Sequence, residues 1–184
     1  MAKQPKKLKK KVTIAEYTRR REVWLSALES GKFKQATGQL HLIDEKGKHS
    51  FCCLGVACKV LADTIGFDLI RSKLDSTTKA ADVYYRLKDH SGQGESANLP
   101  NVVAEYLGMY IPKHHKTDDS TSGNFKHEAI INDGFANSLI DLNDNHGFSF
   151  KQIAEFIRNN PHQIWKNGSY KPLKKKVQKA QKSA

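Results

Sequence analysis

The densest set of reactive side chains lies between Leu40 and Leu61, where His41 and His49 are followed by Cys52, Cys53 and Cys58. A cysteine becomes a nucleophile when a helix N-terminus or a cation lowers its thiol pKa. Cys52 and Cys53 stand at the head of a helical pattern, and a histidine on the preceding segment could serve as base. If any residues here are catalytic, they are Cys52, Cys53 and His49, and the activity would be that of a cysteine-dependent hydrolase. The competing reading is stronger. The run FCCLGVAC is apolar, Cys58 shares a stripe with Leu54 and Leu61, and buried cysteine behaves as a small hydrophobe. The same residues could supply zinc ligands, but no C-x2-C spacing is present and His114-His115 has no cysteine nearby. The sequence therefore assigns no metal and no cofactor.

A second candidate is polar. Lys34, Gln35, Thr37 and Gly38 lie between a helical and an extended pattern, and they could meet Asn143 and Asp144 from far along the chain. A glycine loop with free N–H groups and one lysine can hold a phosphate or a nucleotide. The plainer alternative, which the pattern favours, is a helix–strand connection facing an Asx-capped turn.

The third candidate is charge. The net charge is +12, but it is unevenly placed. Residues 1–21 hold nine Lys and Arg against one acid, and residues 166–184 hold seven Lys and no acid. Residues 22–165 hold 15 basic and 18 acidic residues, a net of −3. Two cationic arms thus flank a near-neutral domain. Such arms bind phosphate backbones by releasing counterions, without reading sequence. The residues this implicates are Lys6, Lys7, Lys9, Lys10, Lys11, Arg19, Arg20 and Arg21 at one end and Lys174, Lys175 and Lys176 at the other. The alternative is that the lysines serve solubility alone.

These groups need elements to position them. Residues 1–12 are too charged to pack, and with the tail 166–184 they form the expected disordered basic arms. Residues 13–165 make one α+β domain. Thr13 and Glu16 form a capping box that opens a helix from 14 to about 30, with Tyr17, Trp24, Leu25 and Leu28 inward and Gly31 after its end. Leu40, Leu42 and Ile43 suggest a strand, residues 44–48 a turn with Gly47 at positive φ, and 49–52 the returning strand. Leu54, Cys58, Leu61 and Ile65 recur at helical spacing, and Gly66 stops that helix. Around Val83, Tyr84 and Leu87 the expectation is a helix over 77–87. Pro100 and Gly108 bound a further helix, with Val102, Val103, Tyr106 and Leu107 as its apolar face. Tyr110, Ile111 and Pro112 suggest a short strand, and 113–127 a mobile loop. Ala136, Leu139, Ile140 and Leu142 mark another helix. Ser149 and Gln152 cap one more, which buries Ile153, Ala154 and Ile157 and ends at Pro161. The stretch KQIAEFIRNNPHQIW has a helix-turn-helix rhythm, although Arg158-Asn159 departs from the usual turn and Gly168 and Pro172 shorten any recognition helix from Pro161 to Lys166.

Two segments carry a resemblance. Trp24, Ala27, Leu28, Ser30, Gly31, Gln35, Gly38 and Leu40, then Phe51 through Cys58, form one pattern. Leu142, Asn143, Asp144, Gly147, Ser149, Phe150, Ile153, Ala154 and Ile157 form the other. Together they resemble an uncharacterised family of small accessory proteins encoded by tailed phages and prophages. The resemblance implies a phage accessory gene and no particular reaction. The arms and residues 113–127 lie outside the pattern.

The expected architecture is a short antiparallel sheet, built from the 39–52 hairpin, packed by four to five helices. The expected function is a non-enzymatic phage accessory protein that binds nucleic acid or a nucleotide-like polyanion, in host takeover or anti-defence. The alternatives are an inhibitor module that binds a host protein and the cysteine-dependent hydrolase. No stretch approaches the roughly 18 apolar residues of a membrane span. The lysine-rich start has no apolar stretch behind it, so no secretory signal is expected. Three cysteines that cannot all pair fit a cytoplasmic setting, that of the host cell if the gene is a phage's.

Overall fold

The computed structural model describes residues 12–73, 80–88, 94–109 and 138–166. Helix α1 (Ile14–Glu29) begins at Thr13, whose hydroxyl accepts from the Glu16 N–H. Only half of the expected capping box forms. Glu16 turns forward to Arg19 and Arg20, because two guanidinium groups offer charge-assisted bonds that a neutral N–H cannot match. Trp24, Leu25 and Leu28 form its buried face.

The hairpin is present as β1 (His41–Ile43) and β2 (His49–Phe51), paired antiparallel. Asp44 builds its turn, accepting from the N–H groups of Lys46 and Lys48, and Gly47 takes a φ of 76°. Helix α2 (Cys53–Ile65) follows and ends on left-handed Gly66. It passes so close to the start of the hairpin that a Cβ at Gly55 would lie 1.5 Å from the Leu40 carbonyl oxygen.

The helix expected over 77–87 is not formed. The chain runs instead through β3 (Phe67–Lys73) and β4 (Ala81–Leu87), paired antiparallel along their length. Ala81, Val83 and Tyr85 alternate inward in β4, a period of two that suits branched and aromatic side chains. β4 then adds to β1, giving a four-stranded antiparallel sheet in the order β2-β1-β4-β3. The sheet is twice as wide as the hairpin alone.

Helix α3 (Asn101–Leu107) lies between Pro100 and left-handed Gly108 as expected. Helix α4 (Leu139–Asp144) starts on a Ser138 cap; Ala136 lies outside the described residues. Helix α5 (Phe150–Asn159) has the full Ser149–Gln152 capping box, and α6 (Pro161–Ile164) is a single turn. The fold is α+β, with six helices among the described residues. One core gathers Trp24, Leu54, Cys58, Leu107, Leu142, Ile153 and Trp165 from both ends of the domain. The strand expected at 110–112, the loop at 113–127 and most of both lysine arms lie outside the described residues.

Candidate functional site

The polar groups singled out from the two distant segments do meet. Residues 34–36 run beside β2: Ala36 N–H donates to Phe51 O at 2.7 Å, and Phe51 N–H donates to Lys34 O at 2.9 Å. This presents Gln35 to the turn after α4. Its Nε2 donates to Asn143 Oδ1 at 3.0 Å and to Phe148 O at 2.7 Å, while its Oε1 accepts from the Phe150 N–H at 3.2 Å. Asn143 is 2% exposed. Its Oδ1 also accepts from the Cys53 N–H, and its Nδ2 donates to Ala36 O and to Asp144 Oδ1. Asp144 Oδ2 accepts from the Gly38 N–H at 2.9 Å.

The set is chemically closed. Both lone pairs and both N–H groups of the Asn143 amide are engaged. The Gly38 N–H, which a phosphate would need, already holds a carboxylate. Asn143 holds the first N–H of α2 and residues 35–36, Asp144 holds Gly38, and Gln35 holds the head of α5, so three neighbouring side chains clamp these segments together. Lys34, Thr37 and Gly38 stand exposed on its rim, the part left for a ligand.

The cysteines are placed differently from a nucleophile. Cys52 does stand at the N-cap of α2, where Sγ accepts from the Gly55 N–H, and Cys53 Sγ donates to Leu139 O. All three thiols are buried. Burial pushes Cys52 up to about 11 and holds Cys53 and Cys58 well above the ordinary thiol value. The expected lowering at a helix N-terminus is overridden, because desolvation of a thiolate outweighs a few N–H dipoles. Neither histidine stands ready as a base for a thiol. His41 Nε2 lies 2.7 Å from His49 Nδ1, and His41 Nδ1 lies 3.1 Å from the Tyr85 hydroxyl. His41 is 1% exposed and stacks on Phe51, with ring centroids 4.2 Å apart. Burial, then His49, Lys59 and Arg71, push its pKa down to about 3. The sequence could show two histidines across a hairpin. It could not show Tyr85, whose strand reads as a helix. Among the described residues no group of three His, Cys, Asp or Glu is placed to hold a metal ion.

The three arginines of α1 diverge. Arg19 is exposed and paired with Glu16. Arg20 pairs with Glu16, donates to Tyr106 O and lies 4.1 Å from the Tyr106 ring centroid. Arg21 is a correction: it is 1% exposed and does not extend the basic arm. Its Nε donates to Leu107 O at 2.8 Å, Nη2 reaches Gly108 O, and the guanidinium lies over the Trp165 ring at 4.2 Å. Two open carbonyls at the end of α3 and an aromatic face give a buried cation better partners than water would. Lys6, Lys7, Lys9, Lys10, Lys11, Lys174, Lys175 and Lys176 lie outside the described residues.

The helix-turn-helix reading also fails on geometry. The would-be recognition helix is the single turn α6, and it leads inward. Ile164 and Trp165 are buried, Trp165 packs edge-on against Trp24, and the Lys166 N–H is tied to Gly108 O. No side chain row is left to enter a groove. Among the described residues no helix is long and apolar enough to cross a membrane.

The fold and clamp define a class: an α+β domain in which a loop after the first helix is locked to the turn before the last long one. The chain belongs to the DUF8296 family, a domain of unknown function, whose model matches residues 17–161. The match starts inside α1 and ends at the first residue of α6, so both lysine-rich arms fall outside it. No curated protein and no solved structure matches the chain.

Proposed function

We propose that this protein is a non-enzymatic accessory protein of a tailed phage or prophage that binds nucleic acid or a nucleotide-like polyanion through its arms, acting on host machinery or defence. The observation that carries the reading is the charge partition, which the position of Arg21 sharpens. With all three arginines assigned to the domain, residues 13–165 hold 18 basic and 19 acidic residues. Residues 1–12 keep six Lys and 166–184 keep seven, with no acid in either. The whole excess of positive charge therefore sits in two short stretches at the ends of a neutral domain. Such stretches supply affinity that is electrostatic and indifferent to sequence. The phage assignment rests on the two motif segments, which the clamp joins in space. Deeply buried thiols leave the cysteine-dependent hydrolase without support.

The test is fluorescence anisotropy with a labelled DNA and a labelled RNA over a salt series. Full-length protein is compared with a full-length variant carrying Gln at Lys6, Lys7, Lys9, Lys10, Lys11, Lys174, Lys175 and Lys176. The expected result is binding to both polymers, with log affinity falling linearly against log salt by about 0.9 per duplex phosphate contacted. The variant should lose most of that affinity and most of the slope. Unchanged binding by the variant would overturn the reading. So would a stoichiometric host protein that stays bound after nuclease treatment while nucleic acid does not bind.

A further inference from the structure

The two edges of the sheet are finished differently. At β2, residues 34–36 lie along the outside and make two main-chain bonds with Phe51. At β3 no described residue lies alongside. The direction of its free groups follows from the register. The Lys88 N–H donates to Gly66 O at 3.2 Å. Tyr85, opposite Leu69, makes both of its main-chain bonds with Glu95, on the side away from β3. Bonds alternate along an antiparallel pair, so Asp68, Ile70 and Ser72 face β4, while Leu69, Arg71 and Lys73 turn their N–H and C=O groups outward.

That edge lacks the usual protection. An exposed row of unpaired main-chain groups is normally blunted by proline, a bulge or a cover. β3 has no proline, its register with β4 runs unbroken from Phe67 to Lys73, and Leu69 is 38% exposed. Its cations stand at one end. Arg71 and Lys73 are exposed, share the row of Leu69 and, among the described residues, have no ion-pair partner. Opposite them on β4 stand Val83 and Ala81, so the row holds no acid. Lys59 of α2 adds a third cation on this side, since its charge and that of Arg71 both act on buried His41.

These cations decide what can add. A second copy would bring its own Arg71 and Lys73 to the same row, four cations with no acid between them. Like charges across a strand pair repel. We propose that the outer edge of β3 is a docking edge for an extended acidic segment of a partner protein, which adds as a fifth strand with its carboxylates against Arg71 and Lys73. Main-chain bonds to Leu69 and Arg71 supply the affinity, and the cationic row supplies the specificity.

The test uses the full-length variant with glutamine in the arms, so that the arms do not capture the probe. Two labelled peptides alternate valine with glutamate or valine with lysine. By anisotropy the glutamate peptide should bind about tenfold more tightly or better. In its presence backbone hydrogen exchange should slow by about tenfold or more at Leu69 and Arg71, and stay unchanged in α5. Adding Arg71→Glu and Lys73→Glu, both at exposed positions, should turn the preference toward the lysine peptide while the melting temperature holds. Leu69→Pro removes one outward N–H and no bond to β4, and should abolish binding of either peptide. Failure to bind the glutamate peptide would overturn the proposal, as would binding that ignores the sign of the peptide or leaves exchange at Leu69 and Arg71 unchanged. So would protection of those amides by raising the protein concentration alone, which would make the edge an interface between copies.

Discussion

The Cys53 N–H points at Asn143 Oδ1, 3.2 Å away, so the first turn of α2 is capped by a side chain 90 residues further on. The same amide holds Gln35 and the Ala36 carbonyl. Asn143→Ala should leave at least one buried donor and one buried acceptor unmet. Each unmet group costs about 1–3 kcal/mol, so a loss of about 3 kcal/mol in urea unfolding is expected. Asn143→Asp keeps the acceptor but places a second carboxylate beside Asp144, and should be no better. A change under about 0.5 kcal/mol, the scale of an ordinary surface substitution, would show that the clamp is ornamental.

Gly55 tests the approach of α2 to the hairpin. An alanine there would drive its methyl group into the Leu40 carbonyl. Since backbone on both sides must move, the cost should reach or exceed the 1–3 kcal/mol typical of overpacking. Soluble yield and thermal melting of Gly55→Ala report it directly.

Arg21 and the arm lysines should separate cleanly. Arg21→Gln removes the cation from the end of α3 and from the Trp165 face, and should lower the melting temperature without a selective loss of polyanion binding. The Lys→Gln variant of the arms should do the reverse. If Arg21→Gln weakened binding while the melting temperature held, the placement of that side chain would be wrong.

Acid should weaken the domain in a defined window. The folded pKa of His41, about 3, lies below the value of 6.5 for a free histidine. The unfolded chain therefore binds the proton more readily between those values. Stability from neutral His41 is fully present above pH 6.5 and is lost as pH falls toward 3, by at most about 1.4 kcal/mol per pH unit. Urea titrations at pH 7.5, 6.0 and 5.0 should show the midpoint falling monotonically. A midpoint that rises on acidification would contradict a buried neutral ring.

The thiols should be silent until the domain opens. With all three buried and their pKa values raised, native protein at pH 8 should scarcely react with an aromatic disulfide reagent, whereas denatured protein should titrate three thiols. One fast thiol in the native state would reopen the case for Cys52 as a nucleophile.

Much of this fold was legible because its punctuation is local. Thr13, Gly66, Gly108 and the Ser149–Gln152 pair each end or begin an element through bonds within a few residues. β4 was not legible, since Val83, Tyr84 and Leu87 stand at helical spacing over so short a run, and pairing with β1 and β3 overrides it. The meeting of Gln35 with Asn143 could be guessed from two polar sets that no apolar stripe explains. That the set closes on itself could not, because closure depends on which lone pair faces which N–H. Arg21 was misread for a similar reason: charge counting places residues in a segment, and only packing turns a side chain inward.

The clamp also bears on the order in which the two ends of the domain come together. Gln35 and Asn143 are 108 residues apart. Closing a stretch that long costs entropy that grows slowly with its length, about 0.6 kcal/mol for each doubling. A contact of such separation repays that cost only after its partners have met, so the joining of the two ends is expected late in folding and not at its start.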